Sequence, residues 1–395
     1  MIYIYKNITD LGGEIHPISP EILRDIPKFP SNTTVCESNG EAIFDIRMIH
    51  YMLYQTNKDS LYYHVCPYNG QVQSTNLIFN EQQTKISHIE VPAGPYRMFG
   101  GYYGLEDIRL VKWNDKIYAN GAHADMFENR VIQSLYELNE KEDGYELINP
   151  RFFDSGRTEK NWSPISDQPF KFLYDPCHRQ VLDISKQMKS PVGSTSKIEA
   201  SFFEGPASGS TQTLRIGDNY LSLIHERDYN YNNYQYRPMQ YYHRFMLYDS
   251  KFKTIVKTPR FHFLNSDVEF CCGLALINDM IYITISVNDS SVHLIKIPLD
   301  KLTYLIRHVN EWTTTEGWDD YFVEHFDELH GLDRMSFIPI LIRKGIYREG
   351  MSTVLDQFIG LNPSIELYNY IVSNIIIRTN VTEAEKQLLL NKLRT

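Results

Sequence analysis

Five times along this chain, an apolar strand pattern runs into an aspartate-containing turn and a second apolar–aromatic strand leaves it. The copies are IRMIHYMLYQTNKDSLYYHV, IRLVKWNDKIYANGAH, NWSPISDQPFKFLYDP, TLRIGDNYLSLIHE and LALINDMIYITISVND. Their turn aspartates are Asp59, Asp115, Asp167, Asp218 and Asp279, separated by 56, 52, 51 and 61 residues. Asn-Asp and Gly-Asp pairs tolerate positive φ and so suit hairpin turns. A β-unit repeating at this period is the signature of a propeller blade. The expectation is an all-β fold, a five-bladed β-propeller over residues 41–299. An irregular β-sandwich with recurring Asp turns is the competing arrangement. Residues 1–40 carry Pro17, Pro20, Pro27 and Pro30, which break any long helix, and read as an irregular segment. Residues 300–395 change character. KLTYLIRHVNEW and TVLDQFIG have helical patterns, and VTEAEKQLLL opens with a capping box, Thr382 followed by Glu385. This helical extension is expected to pack on the propeller, with oligomerisation or acceptor binding as its functional alternatives.

Charge limits the partners. The chain has 39 Lys and Arg against 49 Asp and Glu, a net charge of −10. A nucleic-acid or anionic-membrane binder carries a basic excess, so nucleic acid is disfavoured as a partner, though left open as an acceptor. The five cysteines form no CxxC or Cys/His zinc pattern, which points to a reduced, cytoplasmic protein. The first residues lack a basic region followed by an apolar core. No apolar run approaches the ~20 residues of a membrane span.

The chemistry concentrates on Gly104-Leu105-Glu106-Asp107-Ile108-Arg109-Leu110. Strand side chains alternate faces, so Asp107 and Arg109 are expected on one face and Glu106 on the other. An acid beside a guanidinium is either a structural ion pair or an active site. If the first strand of each unit lines the central channel, Asp45 and Arg47, then Glu106, Asp107 and Arg109, then Lys160 and Asn161, then Glu269 converge there. Second strands end near Tyr174, His225, and Asn288 with Asp289. A ligand site needs such convergent polar groups. Trp162, in EKNWSP, is placed to stack on a sugar ring or to fill the core. His178, in DPCHRQ, follows a strand, where an ordinary turn is the plainer reading and a phosphate or donor contact the functional one. His225 ends an apolar strand, where a satisfied core histidine is the plainer reading. The tyrosine-rich run 229–242 reads as a surface loop. No metal-ligand cluster, Gly-rich phosphate loop or nucleophile elbow is present, and no cofactor is expected.

At these residues the chain resembles the β-mannoside phosphorylases of glycoside hydrolase family 130 and the related β-mannosyltransferases. GLEDIRL is similar to that family's GxEDPR motif, EKNW to its blade-three Lys/Arg-Asn/Asp strand and YLSLIHE to its blade-four strand. VEFCCGLAL is similar to VxFPCGA, and ISVNDS to YGAADT. The matches fall in family order across residues 42–298. The resemblance implies a five-bladed propeller and an inverting glycosyl transfer in which Asp107 is the catalytic acid or base. It places Lys160, Asn161 and His225 at sugar or phosphate positions and Asp289 at the sugar. Ile108 replaces the motif proline, and Tyr174 stands where many phosphorylases have a phosphate-binding histidine, with His178 nearby. The family's Phe-Pro-Glu-Lys stretch is missing.

These departures shift the expectation from inorganic phosphate toward a phosphate-activated donor, a nucleotide sugar or sugar phosphate, with a glycan or other hydroxyl as acceptor. On this reading Asp107 has a pKa raised by Glu106 and by the narrow channel, opposed by Arg109. Lys160, His225 and Arg47 neutralise the leaving phosphate. A phosphorylase remains open, as does a hydrolase that takes a second carboxylate from Glu269 or Asp45. A non-catalytic glycan-binding propeller also remains open.

Overall fold

A computed structural model describes residues 2–18, 28–49, 52–55, 62–65, 72–90, 102–125, 130–158, 160–176, 180–198, 207–228, 240–264, 268–312, 319–329, 334–335, 337–360 and 365–393. The strands form a five-bladed β-propeller of largely antiparallel sheets. Blade one contains Phe29–Ser38, Glu41–Ile49, Val72–Asn80 and Ile86–Ile89, with a hairpin, Met52–Gln55 and Tyr62–Val65, inserted after its second strand. Blade two is Glu106–Trp113, Lys116–Asp125, Arg130–Glu140 and Tyr145–Asp154. Blade three is Ser163–Pro164, Lys171–Asp175 and Gln180–Asp183. In blade four, Ala207–Gly209 and Leu214–Ile216 both pair with Asn219–Asp228, followed by Gln240–Tyr248 and Thr254–Lys257. Blade five is Glu269–Ile277, Met280–Val287 and Ser291–Pro298, completed by Glu14–Pro17 from the other end of the chain. The ring is thus closed by pairing an N-terminal strand with the last propeller strand.

Each blade is covered by a neighbour on both faces, so its strands bury apolar residues on both faces. Separate apolar clusters fill the blade interfaces. Val35 and Phe44 meet Ala275 and Ile277 between blades one and five. Ile43 and Ile78 meet Leu110 and Tyr145 between one and two. Trp113 and Phe153 meet Trp162 and Phe172 between two and three. Ile165 and Leu173 meet Ile224 and Tyr248 between three and four. The largest cluster joins blades four and five to the C-terminal helices through residues such as Phe245, Ile283, Phe337 and Phe358.

Four of the five turn aspartates join the first two strands of a blade. Asp115 and Asp279 have φ of 60° and 63°, as the hairpin reading requires. Asp167 lies between the first strands of blade three, and Asp218 follows Gly217 in blade four. Blade one departs from the pattern. Its first turn is Asn39-Gly40, with φ of 54° and 83°. Asp59 lies outside the described residues.

The stretch expected to be irregular therefore supplies the inner strand of blade one, Phe29–Ser38, as well as the closing strand Glu14–Pro17. Both are sheet edges. Proline there removes no ladder hydrogen bond, so Pro30 and Pro17 are tolerated. Asp45 and Arg47 consequently sit on the second strand of blade one, not the first.

Beyond the ring, Leu299–Arg307, Glu349–Ile359 and Glu383–Leu390 are helices. The expected capping box forms. The Thr382 amide donates to Glu385 Oε2 at 2.8 Å, and the Glu385 amide donates to Thr382 Oγ1 at 3.3 Å. No helix among the described residues is long and apolar enough to cross a membrane.

Candidate active site

The Gly104 turn launches the central strand of the site. Gly104 has φ +97°, and a Cβ there would lie 2.1 Å from the Ser74 carbonyl oxygen. Only glycine fits. The strand then pairs Glu106 with Ala122, with a register shift between Asn120 and Ala122. Asp107 adopts φ +50°, a left-handed conformation that Asp tolerates better than most residues. This irregularity undoes the expected alternation, and both carboxylates reach Arg47. Arg47 Nη2 lies 2.8 Å from Glu106 Oε1, Nη1 lies 3.5 Å from Asp107 Oδ1, and Nε donates to Ser74 Oγ at 2.9 Å.

Arg109 plays a different part from the expected ion pair. It is fully buried. Its Nη1 donates to the Asp107 main-chain carbonyl at 2.6 Å, Nε to the Ser210 carbonyl at 2.9 Å, and Nη2 to Asn161 Oδ1 at 3.0 Å. It holds the backbone of Asp107 and ties blades two, three and four together.

The Asp107 side chain is almost wholly buried, with Oδ1 accepting from Asn32 Nδ2 at 2.5 Å and Oδ2 lying 3.8 Å from Lys160 Nζ. Burial pushes its pKa up, but Lys160, Arg47, Arg109 and the Asn32 hydrogen bond together outweigh that and bring it down to about 2. The expectation of a raised value is corrected. Two cations and an amide donor face this carboxylate and the charge of Arg109 acts from its backbone side, while the neighbouring Glu106 is engaged by Arg47.

A second wall comes from blades four and five. The His225 ring packs against Phe270 at 4.8 Å and Tyr241 at 5.9 Å between centroids. Arg109 lies over Phe270, and Arg227 over Tyr241. Burial, then the charges of Arg227, His243, Arg109 and Lys160, hold His225 well below the usual histidine range. It is a neutral imidazole rather than the cation expected beside a leaving phosphate. Burial raises the Tyr241 phenol, with Asp289 and Asp107 both contributing, so the tyrosine lies within the field of both carboxylates. Asp289 Oδ1 accepts from Ser31 Oγ at 3.0 Å. Asn288 donates its main-chain amide to the Val268 carbonyl at 2.7 Å, and its buried Oδ1 has no partner among the described residues. Asn161, Asn288 and Asp289 share the left-handed conformation of Asp107, with φ of 66°, 54° and 50°.

Other candidates fall elsewhere. Glu269 is fully buried, and its two oxygens accept from the Phe263 and Leu264 amides at 2.7 and 2.6 Å, with His243 Nδ1 at 3.3 Å. It caps a chain segment instead of facing a ligand. Trp162 is 1% exposed and packs against Phe172, Phe153 and Tyr174, so no face is free for a sugar. Tyr174 belongs partly to that core. His178 lies outside the described residues.

Asp45 is buried, with Oδ2 accepting from Asn76 Nδ2 at 3.1 Å and Oδ1 without a partner among the described residues. Burial outweighs the Asn76 bond and pushes its pKa up to about 8. Asp45 therefore keeps its proton at neutral pH, and its linkage has a definite sign. An unfolded Asp releases its proton near ~3.9, so stability falls as pH rises from about 4 to about 8. Buried His123, His262 and His293, pushed down to about 4, 4 and 3, and buried His225, also held low, act oppositely and fade only about one unit above the ~6.5 of an unfolded imidazole. Between pH 6.5 and 8 the melting temperature of the native protein should therefore fall relative to that of Asp45→Asn. Equal slopes for the two proteins would show that Asp45 is already ionised.

Asn32, Ser31, Ser74, Ser286, Tyr241 and Arg227 join the site without having been anticipated. Ser31 and Asn32 lie in the stretch read as irregular. Tyr241 belongs to the strand Gln240–Tyr248, not to a loop, and residues 229–239 lie outside the described residues. Among the described residues there is no group of three or more His, Cys, Asp or Glu side chains able to hold a metal ion.

No protein-family model matches the chain, and no curated protein matches it significantly. Among solved structures it is similar to a β-1,2-mannobiose phosphorylase from Listeria innocua, with 14% identity over 74% of this chain and 93% of that one, at a TM-score of 0.43. It is also similar to MPT-4, a mannose phosphorylase from Leishmania mexicana, with 13% identity over 80% and 96% and a TM-score of 0.43. A third is MPT-1, a GDP-Man-dependent mannosyltransferase from Leishmania mexicana, with 14% identity over 77% and 93% and a TM-score of 0.45.

Proposed function

We propose that this protein is a carbohydrate-active enzyme. In this reading it transfers a glycosyl unit, mannosyl on the motif resemblance, with inversion from a phosphate-activated donor to a hydroxyl acceptor. The observation that carries the proposal is the ionised, buried Asp107, with one oxygen anchored and the other facing Lys160.

A carboxyl group with a pKa near 2 holds no proton at neutral pH, so the resting protein is set for proton acceptance. It is a weak base in that state, since efficient catalysis needs a pKa nearer the working pH. Binding of an anionic donor beside Lys160 offsets the cations that hold Asp107 down, and its pKa rises. The donor thus creates the base that the reaction needs. The acceptor hydroxyl then passes its proton to Asp107, directly or through a sugar hydroxyl, and its oxygen forms the bond to the anomeric carbon. The bond from that carbon to the phosphate oxygen breaks on the opposite face. The phosphate departs with the electron pair, and Lys160 balances its charge.

Hydrolysis requires a second carboxylate ~6.5–9.5 Å away to activate water. Both residues considered for that task are otherwise engaged, Glu269 by backbone amides and Asp45 by its own proton.

The test is direct. Purified protein is incubated with nucleotide sugars and sugar 1-phosphates, with and without mannose and simple mannosides as acceptors. Formation of a new glycoside with release of the nucleotide or phosphate is expected. Phosphorolysis of a β-mannoside without use of any activated donor would assign the phosphorylase reaction instead. Saturable glycan binding with no turnover would make this a binding propeller.

A further inference from the structure

Asp107 has two oxygens in unlike surroundings. Oδ1 accepts from Asn32 Nδ2 at 2.5 Å and lies 3.5 Å from Arg47 Nη1. Oδ2 has Lys160 Nζ at 3.8 Å, beyond hydrogen-bond reach. Asn32 is itself oriented, because its Oδ1 accepts from Ser286 Oγ at 2.8 Å. Reversing that amide would set its oxygen against the Asp107 carboxylate, which can only accept. One amide orientation therefore serves both neighbours.

The backbone explains how Asn32 gets there. The register of the blade-one inner strand against Glu41–Ile49 shifts between Pro30 and Thr33. Ser31 and Asn32 fall within that bulge, and a bulge re-aims side chains away from the regular ladder. Ser31 turns to Asp289 and Asn32 to Asp107. A strand from the first tenth of the chain thereby reaches residues of blades two and five.

We infer that Asn32 is a positioning residue that pins Oδ1 of Asp107 and leaves Oδ2 as the oxygen that exchanges a proton with substrate. The inference rests on the glycosyl-transfer reading of the site. Its physical basis is that Asp107 is fixed at its carbonyl by Arg109 and at Oδ1 by Asn32. Rotation about its side-chain bonds is then restricted, and one oxygen remains presented. Ser286 supports this at one remove by selecting the amide orientation of Asn32.

The experiment compares steady-state kinetics and melting temperatures of Asn32→Ala, Ser286→Ala, Asn32→Asp and Asp107→Asn with the native protein. Asn32→Ala should lower kcat by about 10–100-fold, the range expected for a misplaced catalytic group, while KM for the donor stays within about twofold. Ser286→Ala should shift kcat in the same direction by less. Asn32→Asp sets a second carboxylate against Asp107. The pair must share a proton, so the acid limb of the pH–rate profile should move up by about one unit or more. A merely structural role moves melting temperature and leaves kcat of Asn32→Ala and Ser286→Ala near native in the folded protein.

An unchanged kcat in Asn32→Ala, or a raised KM at constant kcat, would overturn the inference, the latter by making Asn32 a substrate ligand. If Asn32→Ala fails to fold, Ser286→Ala decides, because it alters only the hydroxyl that orients the amide. Full turnover in Asp107→Asn would remove the glycosyl-transfer reading itself. Loss there combined with native kinetics in Asn32→Ala and Ser286→Ala sinks only the positioning role.

Discussion

Asp107→Asn is expected to lower turnover by ~10²–10⁴, the usual worth of a general acid–base group. The amide has nearly the shape of the carboxylate and still accepts from Asn32, but it takes up no proton at neutral pH. The substitution should also cost stability. The folded pKa of about 2 lies below the unfolded value of ~3.9, so ionised Asp107 contributes about 2–3 kcal/mol at neutral pH. For a depressed carboxyl that contribution is complete above pH 4 and is lost as pH falls toward 2. The native protein should therefore lose an increment of melting temperature over that acid range that the variant lacks. Turnover and melting temperature must be read together at pH 7. A variant that is several degrees less stable yet fully active would make Asp107 a structural anchor for Arg47 and Lys160. A large loss of turnover in a protein still folded at the assay temperature identifies the catalytic group.

The propeller was legible because its constraint is repeated. Strand, Asp turn and strand recur at a period that suits a ring of similar sheets, and Asp115, Asp167, Asp218 and Asp279 fall at equivalent turns. Blade one was misframed for a physical reason. Its inner strand, FPSNTTVCES, lies at the polar axis and carries Ser31, Thr33 and Thr34, all buried. A buried strand whose partners are hydroxyls and backbone groups has no apolar alternation to detect. The same cause hid Asn32, whose importance appears only where the bulge carries it to Asp107.

The GLEDIR stretch announced the charged centre, but alternation misdirected Glu106. Positive φ at Asp107 brings both acids to Arg47, and no period-two rule anticipates that. Glu269 was misread because a carboxylate capping two backbone amides looks, in sequence, like one facing a ligand. Trp162 had two readings, because an aromatic beside a polar pair serves the core and a sugar platform equally well, and packing against Phe172 and Phe153 gives it to the core.

Arg109→Ala is expected to have the larger effect on stability. Arg109 is fully buried and spends its guanidinium on three oxygens from three blades: the Asp107 carbonyl, the Ser210 carbonyl and Asn161 Oδ1. Truncation leaves each of these acceptors without its donor, at ~1–3 kcal/mol apiece where water cannot enter. It also leaves a cavity lined by groups too constrained to collapse fully. Relief from burying a cation offsets part of this, so the net cost should be about 3–5 kcal/mol, typical of a buried charge network with one partner removed. Arg109→Lys should recover little, because an ammonium cannot span three acceptors arranged for a planar fork. In whatever fraction stays folded, Asp107 loses both a nearby cation and the bond to its carbonyl. Its pKa should rise and its conformation loosen, so turnover falls as well. Chemical denaturation of Arg109→Ala and Arg109→Lys, with activity measured below the transition, checks this. A native midpoint with abolished activity would mean that Arg109 acts on the substrate itself, not on the joint between blades.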